Sequence, residues 1–596
     1  MSRPHAKRLL AGGLAAAAAA SMMIAAAPGT GAAPGAAKGP KPVEVQLLAL
    51  NDFHGALEEP GGSGGRIQTG ADPDGAGPLT APTVDAGGAE FLATQLQQLA
   101  AAQKKKNTIT VAAGDLIGAS PLLSAAFHDE PTIESLSLAG LDYASVGNHE
   151  FDEGADELLR IQHGGCHPAD GCADGTPYEG ADFKYLSANA FVTDTGEPLL
   201  DPYAIHKVQG VEIGFIGMTL EGTKQIVSQQ GVAGLDFADE ADTANRYVAE
   251  LQAQGVEAIV VLLHEGGTQE RGAFDVNGCT GFTGPVVDIT ERMSDAVDVV
   301  VTGHTHQAYN CLIDGKLVTS AASNGRLVTD IDLSIDRRTG DIISKTADNT
   351  IVTRDLPKDP VQTSLIERYK TALGPVANQV VGETAEDITR AQAPLFGNVV
   401  GESALGNLIA DAQLAATDDE AGAVAAFMNP GGVRADLDPG PVTYEEAFTV
   451  QPFANNLVTL DLTGAQLQCL LEQQFQVNRV LSPSSAVSYT VDPAGTTAAP
   501  ATGSSPAADP CTGTRVLDDT VKIGGVQVVD GAVYRITVNS FLAGGGDGFS
   551  VLTGGTNAVT GPIDLDALTA YLPDDVAIAS PSRDRISTPT DTATAG

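Results

Sequence analysis

Residues 43–55 have the sequence VEVQLLALNDFHG, in which an apolar, strand-like run is followed by an aspartate and a histidine. Four later stretches repeat this arrangement: TVAAGD (110–115), SVGNH (145–149), VVLLH (260–264) and VVTGHTH (300–306). Helical patterns at 89–106 and 241–254 separate such runs, which predicts the alternating strands and helices of an α/β protein. The carboxyl ends of strands in such a sheet meet at one edge, where ligand sites form. We therefore expect eight polar side chains to converge there: Asp52, His54, Asp115, Asn148, His149, His264, His304 and His306.

The chemistry of these side chains favours divalent metal ions. Carboxylates, imidazoles and one amide oxygen suit borderline cations, and two such cations a few ångströms apart are a device for hydrolysing phosphate esters. If the first strand continues, Asp52 and His54 share one face; His304 and His306 either share a face or flank a tight turn. A single aspartate after a strand usually caps a helix, but coincidence is a poor explanation for the whole ordered set.

Length and composition predict a globular protein of at least two domains. The chain has 596 residues, of which 43% are hydrophobic and 18% charged, and this is too long for one core. The alternating pattern covers residues 43–350, a connecting helix is expected at 358–375, and a second unit with strand and helix patterns covers 376–572. A polar tail follows at 573–596. Residues 61–88 and 482–513 have the composition of inserted loops.

The formal net charge of −42 argues against nucleic-acid polymers and anionic membranes as partners, because their phosphates would be repelled. A small phosphorylated substrate stays possible, since bound metal ions reverse the sign of the local field.

Residues 1–37 have the pattern of an export signal. Arg3, Lys7 and Arg8 precede an Ala-rich apolar stretch that ends in A-x-A sites. A retained membrane anchor is the alternative, which the alanine content and the following Gly/Pro run disfavour. No later segment is apolar enough to span a bilayer, so we expect a secreted, extracellular protein without a membrane span.

Six cysteines in an exported chain favour disulfides. Proximity in the sequence suggests Cys166–Cys172, Cys279–Cys311 and Cys469–Cys511, one of fifteen possible pairings. For the first pair the alternative is a small zinc site with His163 and His167, although the spacing C-x5-C fits no common zinc motif.

The ordered series D-x-H, G-D, G-N-H-E, a single His and G-H-x-H resembles the signature of the calcineurin-like metallophosphatases. The form GNHEFD (147–152) resembles the branch of 5′-nucleotidases and UDP-sugar hydrolases. The resemblance implies a four-layer α/β/β/α domain that holds two divalent metal ions, zinc or manganese. It implies that one ion is bound by Asp52, His54 and His306, that the other is bound by Asn148, His264 and His304, and that Asp115 bridges the two.

The resemblance also implies the catalytic groups. His149 would not be a ligand; Asp152 would orient it, and it would stabilise the transition state near the leaving oxygen. The two metals would lower the pKa of a water, and the hydroxide would attack phosphorus in line.

The second unit resembles the α/β substrate-binding domain of the same family. The carrying motifs are NPGGVR (429–434), QPFANN (451–456) and NSFLAGGGDGF (539–549). Phe453 and Phe541 would sandwich a nucleobase and Asp547 would accept hydrogen bonds from the ribose hydroxyls. Asn429 would face the base and Arg434 the phosphate, and Gly432 would also belong to the substrate site. Without the resemblance, two core phenylalanines and a glycine-rich hairpin turn would be the simpler interpretation.

These expectations favour a phosphohydrolase that cleaves nucleoside 5′-phosphates to nucleoside and phosphate. A UDP-sugar hydrolase and a 2′,3′-cyclic nucleotide phosphodiesterase with 3′-nucleotidase activity are alternatives on the same scaffold. A nucleotide-binding protein without turnover and an adhesion module with a relic site are less favoured, because the ligand set is intact.

The family commonly carries a further arginine before the GNLI segment, but no arginine lies between Arg390 and Arg434 here. A hinge near the connecting helix would bring substrate to the metals.

Overall fold

A computed structural model describes residues 40–71, 81–103, 107–227, 231–453, 455–499, 509–573 and 576–589. The export signal expected at 1–37 lies outside these residues. The strands of the N-terminal half are β1 (Val43–Leu50), β2 (Arg66–Gln68), β3 (Thr83–Asp85), β4 (Thr108–Ala113), β5 (Tyr143–Ser145), β6 (Lys184–Leu186), β7 (Ala190–Val192), β8 (Tyr203–Val208), β9 (Val211–Thr219), β10 (Leu235–Phe237), β11 (Ala258–His264), β12 (Val299–Thr302), β13 (Ala308–Ile313), β14 (Lys316–Ala321), β15 (Leu327–Ile335) and β16 (Ile342–Ile351).

The helices of this half alternate with the strands. They are α1 (Ala89–Ala102), α2 (Leu122–Ala125), α3 (Glu130–Leu138), α4 (Ala155–His163), α5 (Thr223–Ile226), α6 (Glu240–Ala253) and α7 (Pro285–Arg292), and the long α8 (Pro360–Ala377) leads into the C-terminal half.

Two six-stranded sheets form the centre of the N-terminal half, in the orders β16-β15-β1-β4-β5-β6 and β13-β14-β12-β11-β9-β8. Side chains alternate between faces along a strand: Leu47 joins a buried cluster with Val111 and Val260 between the sheets. Its neighbour Leu48 faces the other way, into a cluster shared with α1, α3, α4 and α8. The outer face of the second sheet packs on α6 and α7. The expected four-layer α/β/β/α arrangement is confirmed.

The central strands of both sheets run parallel, so their carboxyl ends lie on the same edge. β1 pairs in parallel with β4, and β4 with β5. In the other sheet β11 pairs in parallel with β9 and β12. The polar residues that follow β1, β4, β5 and β12, together with His264 at the end of β11, are therefore brought to one place.

The C-terminal half contains a five-stranded sheet in the order β23-β20-β27-β22-β28 and a four-stranded sheet in the order β26-β25-β24-β29. Its strands are β17 (Val380–Thr384), β18 (Pro394–Phe396), β19 (Val399–Val400), β20 (Ala425–Met428), β21 (Gly440–Thr443), β22 (Asn456–Thr463), β23 (Ser482–Pro483), β24 (Val487–Thr490), β25 (Lys522–Ile523), β26 (Val526–Gln527), β27 (Val533–Asn539), β28 (Thr556–Ile563) and β29 (Ile586–Ser587). Its helices are α9 (Ala404–Ala415), α10 (Asp418–Ala421), α11 (Tyr444–Val450), α12 (Gly464–Gln476), α13 (Ser540–Ala543) and α14 (Asp564–Tyr571).

The helix α8 packs against both halves of the chain. Its buried residues Leu365, Ile366 and Tyr369 belong to the same apolar cluster as Leu48 of β1 and Leu408 of α9. Burial of a leucine or phenylalanine side chain contributes about 1.5–3 kcal/mol, so this shared cluster is a substantial contact between the halves.

The three expected disulfides, Cys166–Cys172, Cys279–Cys311 and Cys469–Cys511, are all present. The zinc alternative for the first pair is therefore wrong, because both thiols are used.

The tail, expected only to be polar, contributes β29, which pairs in parallel with β24, and Arg585 forms an ion pair with Asp411. Among the helices that the structure describes, none combines the length and the apolar character needed to cross a bilayer.

One buried carboxyl in the C-terminal half should make stability depend on pH. Burial raises the pKa of Glu472 to about 7, although one oxygen accepts the Val516 amide at 2.7 Å. Because the folded-state pKa lies above the ordinary value, the folded protein keeps Glu472 protonated at pH values where the unfolded chain has already lost the proton. The contribution of this carboxyl to the free energy of unfolding is therefore complete at low pH and is lost as pH rises towards 7 and beyond. We expect Glu472→Gln to raise the melting temperature relative to the wild type at pH 8 but little at pH 5.

Calorimetry at the two pH values measures this difference. Glu420→Gln, at an exposed position of α10, is the matched control and should change neither value. An equal gain from Glu472→Gln at both pH values would contradict the assignment.

Candidate metal centre

The turns at the sheet edge have an unusual backbone. Five of the seven expected metal ligands have positive φ: Asp52 (49°), His54 (47°), Asp115 (49°), His304 (68°) and His306 (54°). The strand β1 has already ended at Leu50, so the expectation that Asp52 and His54 share the face of a strand is wrong. Such conformations are rare outside glycine and cost about 1–3 kcal/mol each. Bonds from the amides of Asp52 and His54 to the carbonyls of Gly114 and Asp115, at 3.0 and 3.1 Å, hold them in place.

Three of the expected ligands form a first group. Nε2 of His54 lies 3.0 Å from Nε2 of His306, and Nε2 of His306 lies 3.4 Å from Oδ1 of Asp52. Ring nitrogens that face each other at this distance repel unless a proton or a cation lies between them. This geometry fits a cation.

A second group lies beside it. Oδ1 of Asn148 is 3.1 Å from Nε2 of His264 and 3.0 Å from Nδ1 of His304. Asp115 lies between the two groups, since its Oδ2 is 3.0 Å from Nε2 of His264 and 3.8 Å from Nε2 of His54. The structure thus brings all seven expected ligands together, in the two sets that the resemblance implied. Their nitrogen and oxygen donors suit borderline divalent cations.

Two glycines permit this close approach. A Cβ atom at Gly303 would lie 2.5 Å from the carbonyl oxygen of Ala113, and one at Gly147 would lie 2.2 Å from Oδ1 of Asp115. These distances are far below van der Waals contact, so a side chain at Gly147 would displace Asp115 and one at Gly303 would displace the carbonyl of Ala113.

Backbone carbonyls fix the orientation of two imidazoles. Nδ1 of His54 bonds to the carbonyl of Gly118 at 2.9 Å, and Nδ1 of His264 bonds to that of Ala113 at 2.8 Å. Since a carbonyl only accepts, each Nδ1 carries the proton and each Nε2 is left to bind a metal. The buried Asp129 in turn accepts the amide of Gly118 at 3.0 Å.

The electrostatics prepare the two carboxylates and two of the imidazoles for binding, whereas at His264 the effect of burial is outweighed by Asp115, which raises the pKa to about 9. Burial opposes ionisation of Asp52 and Asp115, yet the neighbouring histidines hold the pKa of each carboxyl below its ordinary value. Burial lowers the pKa of His54 and of His304 to about 4. Ionised carboxylates and neutral imidazoles are the forms that coordinate metals.

His149 and Asp152 form a separate pair at the edge of the site. Nδ1 of His149 lies 2.6 Å from Oδ2 of Asp152, and the imidazole side chain is 30% exposed. Burial opposes protonation of His149, but Asp152 and Asp115 outweigh it and raise its pKa to about 10. Asp152 therefore favours the protonated form of the imidazole, whose other nitrogen can donate a proton.

Sequence reasoning gave no role to Glu150. Its buried carboxylate accepts the amides of Gly147, Asp115 and Leu116 at 2.5, 2.9 and 2.8 Å, which ties the turn after β4 to the turn after β5. Glu150 stands inside the GNHE motif, but its partners lie up to 35 residues away, so the motif alone does not reveal this function.

One cavity of about 750 Å³ lies between the expected metal ligands and the C-terminal half. His54, His149 and His306 line one side of it. All six expected substrate-binding residues line it as well: Asn429, Gly432, Arg434, Phe453, Phe541 and Asp547. Arg326, Asn324 and Asn455 also line it. The sequence analysis assigned no contact to them, although Asn455 stands inside the QPFANN motif.

Hydrogen bonds position the polar groups on the C-terminal side. Nδ2 of Asn429 donates to Asp547 at 2.9 Å, while its Oδ1 accepts from Asn539 at 2.9 Å. The side chains of Phe453 and Phe541 are 36% and 47% exposed, so they are not the core residues of the simpler interpretation. The guanidinium of Arg434 lies 5.6 Å from the ring centre of Phe453.

Comparison with known proteins agrees with this geometry. The pattern of calcineurin-like phosphoesterases matches residues 45–308, and that of the 5′-nucleotidase C-terminal domain matches residues 380–554. An endonuclease of Bacillus subtilis is 34% identical over 89% of this chain, which covers 40% of that protein. A cell wall protein of Listeria monocytogenes is 31% identical over 90% of this chain and 68% of its own length.

A solved structure of a 5′-nucleotidase precursor from Thermus thermophilus has the same fold. It superposes with a TM-score of 0.60 at 26% identity, covering 92% of this chain and 99% of the other. The chain belongs to the 5′-nucleotidase family, with a calcineurin-like phosphoesterase domain followed by a 5′-nucleotidase C-terminal domain.

Proposed function

We propose that this chain hydrolyses nucleoside 5′-phosphates to nucleoside and inorganic phosphate. One observation carries the proposal: the expected metal ligands His54 and His306, the pair partner His149 and the exposed rings Phe453 and Phe541 line a single cavity. A nucleotide has a phosphate at one end and an aromatic base at the other, and the cavity offers cation ligands on one side and aromatic faces on the other.

The metal ions would be held by the two groups of ligands, with Asp115 between them. When bound, such ions supply Lewis acidity and lower the pKa of water towards neutrality. Imidazole and carboxylate donors favour zinc or manganese over calcium.

The protein's own groups would complete the reaction. His149, oriented by Asp152 at 2.6 Å, would donate its Nε2 proton to the departing ribose oxygen. Arg434 would bind the phosphate. Phe453 and Phe541 would stack on the base, and Asp547 would accept hydrogen bonds from the ribose hydroxyls. Because the metal ligands and the base-binding residues belong to different halves, a hinge at α8 remains a prediction.

Other substrates would use the same apparatus. UDP-sugars and 2′,3′-cyclic nucleotides are the alternatives, and phosphate release from AMP, UMP, UDP-glucose and cyclic nucleotides separates them. The Bacillus subtilis relative is named an endonuclease, but this chain spans 40% of it, and its net charge of −42 disfavours a polyanionic polymer.

We propose that the protein acts outside the cytoplasm. The basic and Ala-rich start of the sequence and three disulfides support export, because disulfides persist in oxidising compartments. The Listeria monocytogenes relative is named a cell wall protein.

His304→Ala should remove about one metal ion per chain, because it deletes one nitrogen donor of the second group. Metal content after loading with manganese or zinc, measured by mass spectrometry, tests this. His206→Ala removes a histidine that pairs with the Tyr143 hydroxyl and should leave the metal content unchanged. Full metal content in His304→Ala would refute the ligand assignment.

His149→Ala should keep both metal ions and lower kcat by about 100- to 10,000-fold, the usual contribution of a positioned acid. Asp152→Asn should cause a smaller loss, because the imidazole remains but its orientation and charge are no longer fixed. Single-turnover rates together with metal content measure both effects. A fully active His149→Ala protein would overturn the catalytic role.

Removal of either aromatic ring should weaken nucleotide binding selectively. Base stacking contributes about 1–3 kcal/mol, so Phe453→Ala or Phe541→Ala should raise KM for AMP by roughly 5- to 150-fold. p-Nitrophenyl phosphate has no nucleobase, and its KM should change far less. Equal effects on the two substrates would show that the rings do not contact the base.

A further inference from the structure

One part of the cavity lining has no role in the reaction proposed above. Gly64, Ser323, Asn324 and Arg326 line the cavity, and all four belong to the N-terminal half of the chain. Arg326 is the charged member of this set. The C-terminal half contributes Arg434 to the same cavity, so each half supplies one arginine.

The segment that carries Arg326 is tied to the first group of expected metal ligands. The backbone amide of Asn324 donates to the carbonyl of Asp52 at 2.8 Å, and Asn324 has a positive φ of 56°. The carboxylate of Asp52 is also the charged group whose field acts on the guanidinium of Arg326. Arg326 therefore lies on the metal side of the cavity, where the phosphate of a substrate would be.

Hydrogen bonds fix the direction of the guanidinium. Nε of Arg326 donates to the carbonyl of Ser323 at 2.9 Å, Nη2 donates to the hydroxyl of Ser323 at 2.5 Å, and Nη1 donates to the carbonyl of Arg66 at 2.9 Å. These partners are neutral, so they orient the cation without cancelling its charge. A guanidinium has five N–H donors in one plane, more than these partners require.

The charge of Arg326 suits an anion in the cavity. Burial lowers the pKa of Arg326 to about 10, which leaves the guanidinium charged at neutral pH. A phosphate monoester carries nearly two negative charges there, and a chain with a net charge of −42 repels such an anion at long range. An oriented, partly buried guanidinium is a strong donor to phosphate oxygens and loses little entropy when it binds them.

We propose that Arg326 is a second phosphate-binding residue, which holds the phosphate of the substrate from the N-terminal half while Arg434 holds it from the C-terminal half. The inference rests on the proposed hydrolysis of phosphate esters. Because Arg326 belongs to the same half as the expected metal ligands, its contact with phosphate would not depend on a hinge at α8. It would also act on any phosphate ester, whatever group the phosphate is attached to.

The alternative is that Arg326 only supports the loop before β2, through its bond to the carbonyl of Arg66. Arg354 supports the same loop, since its Nη2 donates to the carbonyls of Pro60 and Gly65 at 2.6 and 3.3 Å. Arg354 is not among the described residues that line the cavity. Arg354→Gln is therefore the matched control, because it weakens the loop without removing a charge from the cavity.

Binding of inorganic phosphate tests the proposal without any turnover. Isothermal titration calorimetry measures it on the manganese-loaded full chain. We expect Arg326→Gln to raise the Kd for phosphate roughly 10- to 150-fold, the usual effect of losing a hydrogen bond between charged groups. Arg326→Lys should lose less affinity, because lysine keeps the charge but not the planar set of donors. Arg354→Gln should bind phosphate as the wild type does.

Two results would overturn the proposal: an unchanged phosphate affinity in Arg326→Gln, or an equal loss in Arg326→Gln and Arg354→Gln. A wild type whose phosphate binding depends on Arg326, but which leaves AMP intact, would support this inference and refute the proposed substrate. A manganese-loaded wild type that does not bind phosphate would overturn the inference itself.

Kinetics separate Arg326 from the base-binding rings. Arg326→Gln should lower kcat/KM by similar factors for AMP and for p-nitrophenyl phosphate, because both carry the phosphate. A loss confined to AMP would contradict a phosphate contact.

Crystals of the wild type soaked in manganese and phosphate provide a measurement that needs no variant. A phosphate oxygen within about 3.2 Å of the Arg326 guanidinium is expected. A phosphate bound in the cavity with no oxygen near Arg326 would overturn the assignment.

Discussion

The buried carboxylate of Asp52 joins the two sheets at the edge where the site is assembled. Asp52 follows β1 of the first sheet, and its two oxygens accept the amide of His304, which follows β12 of the second sheet, at 2.9 and 3.1 Å. It also faces His306. A buried carboxylate is costly without partners. Asp52 keeps its hydrogen bonds to His304 only when the two sheets lie at the observed separation. The other expected ligands depend on the same separation, since His264 and His304 come from one sheet and Asp115 and Asn148 from the other.

Hydrogen bonds from groups outside the expected ligand set also hold this edge together. Glu150 gathers three backbone amides of two turns, and Gly118 and Ala113 orient two imidazoles through their carbonyls. These groups touch neither metal nor substrate in the proposed reaction. They limit the freedom of the residues that do, and preorganised ligands lose little entropy when they bind.

The sequence predicted which residues meet at the sheet edge but not the backbone conformation of those residues. Apolar runs ending in Asp52, Asp115 or His264 are visible as periodicity, and parallel strands bring such ends together. The positive φ angles of Asp52 and His54 were not visible in the sequence, because here they depend on hydrogen bonds to the carbonyls of Gly114 and Asp115, about 60 residues away. The roles of Glu150, Arg326 and Asn455 were not predicted for a similar reason. The tertiary fold sets the partners of Glu150 and the cavity that Arg326 and Asn455 line. The disulfides were readable because each pair is close in the chain, whereas a two-residue strand such as β29 leaves no pattern at all.

The left-handed turns have a consequence for protein engineering. A designer who grafts the seven expected metal-binding side chains onto another α/β scaffold would reproduce the donors but not the angles at which they leave the main chain. At Asp52, His54 and Asp115 those angles depend on φ near 50°, and β-branched or bulky replacements would strongly resist them. A transplant of this centre would need to import whole loops, with Gly147 and Gly303 included, rather than a set of residues.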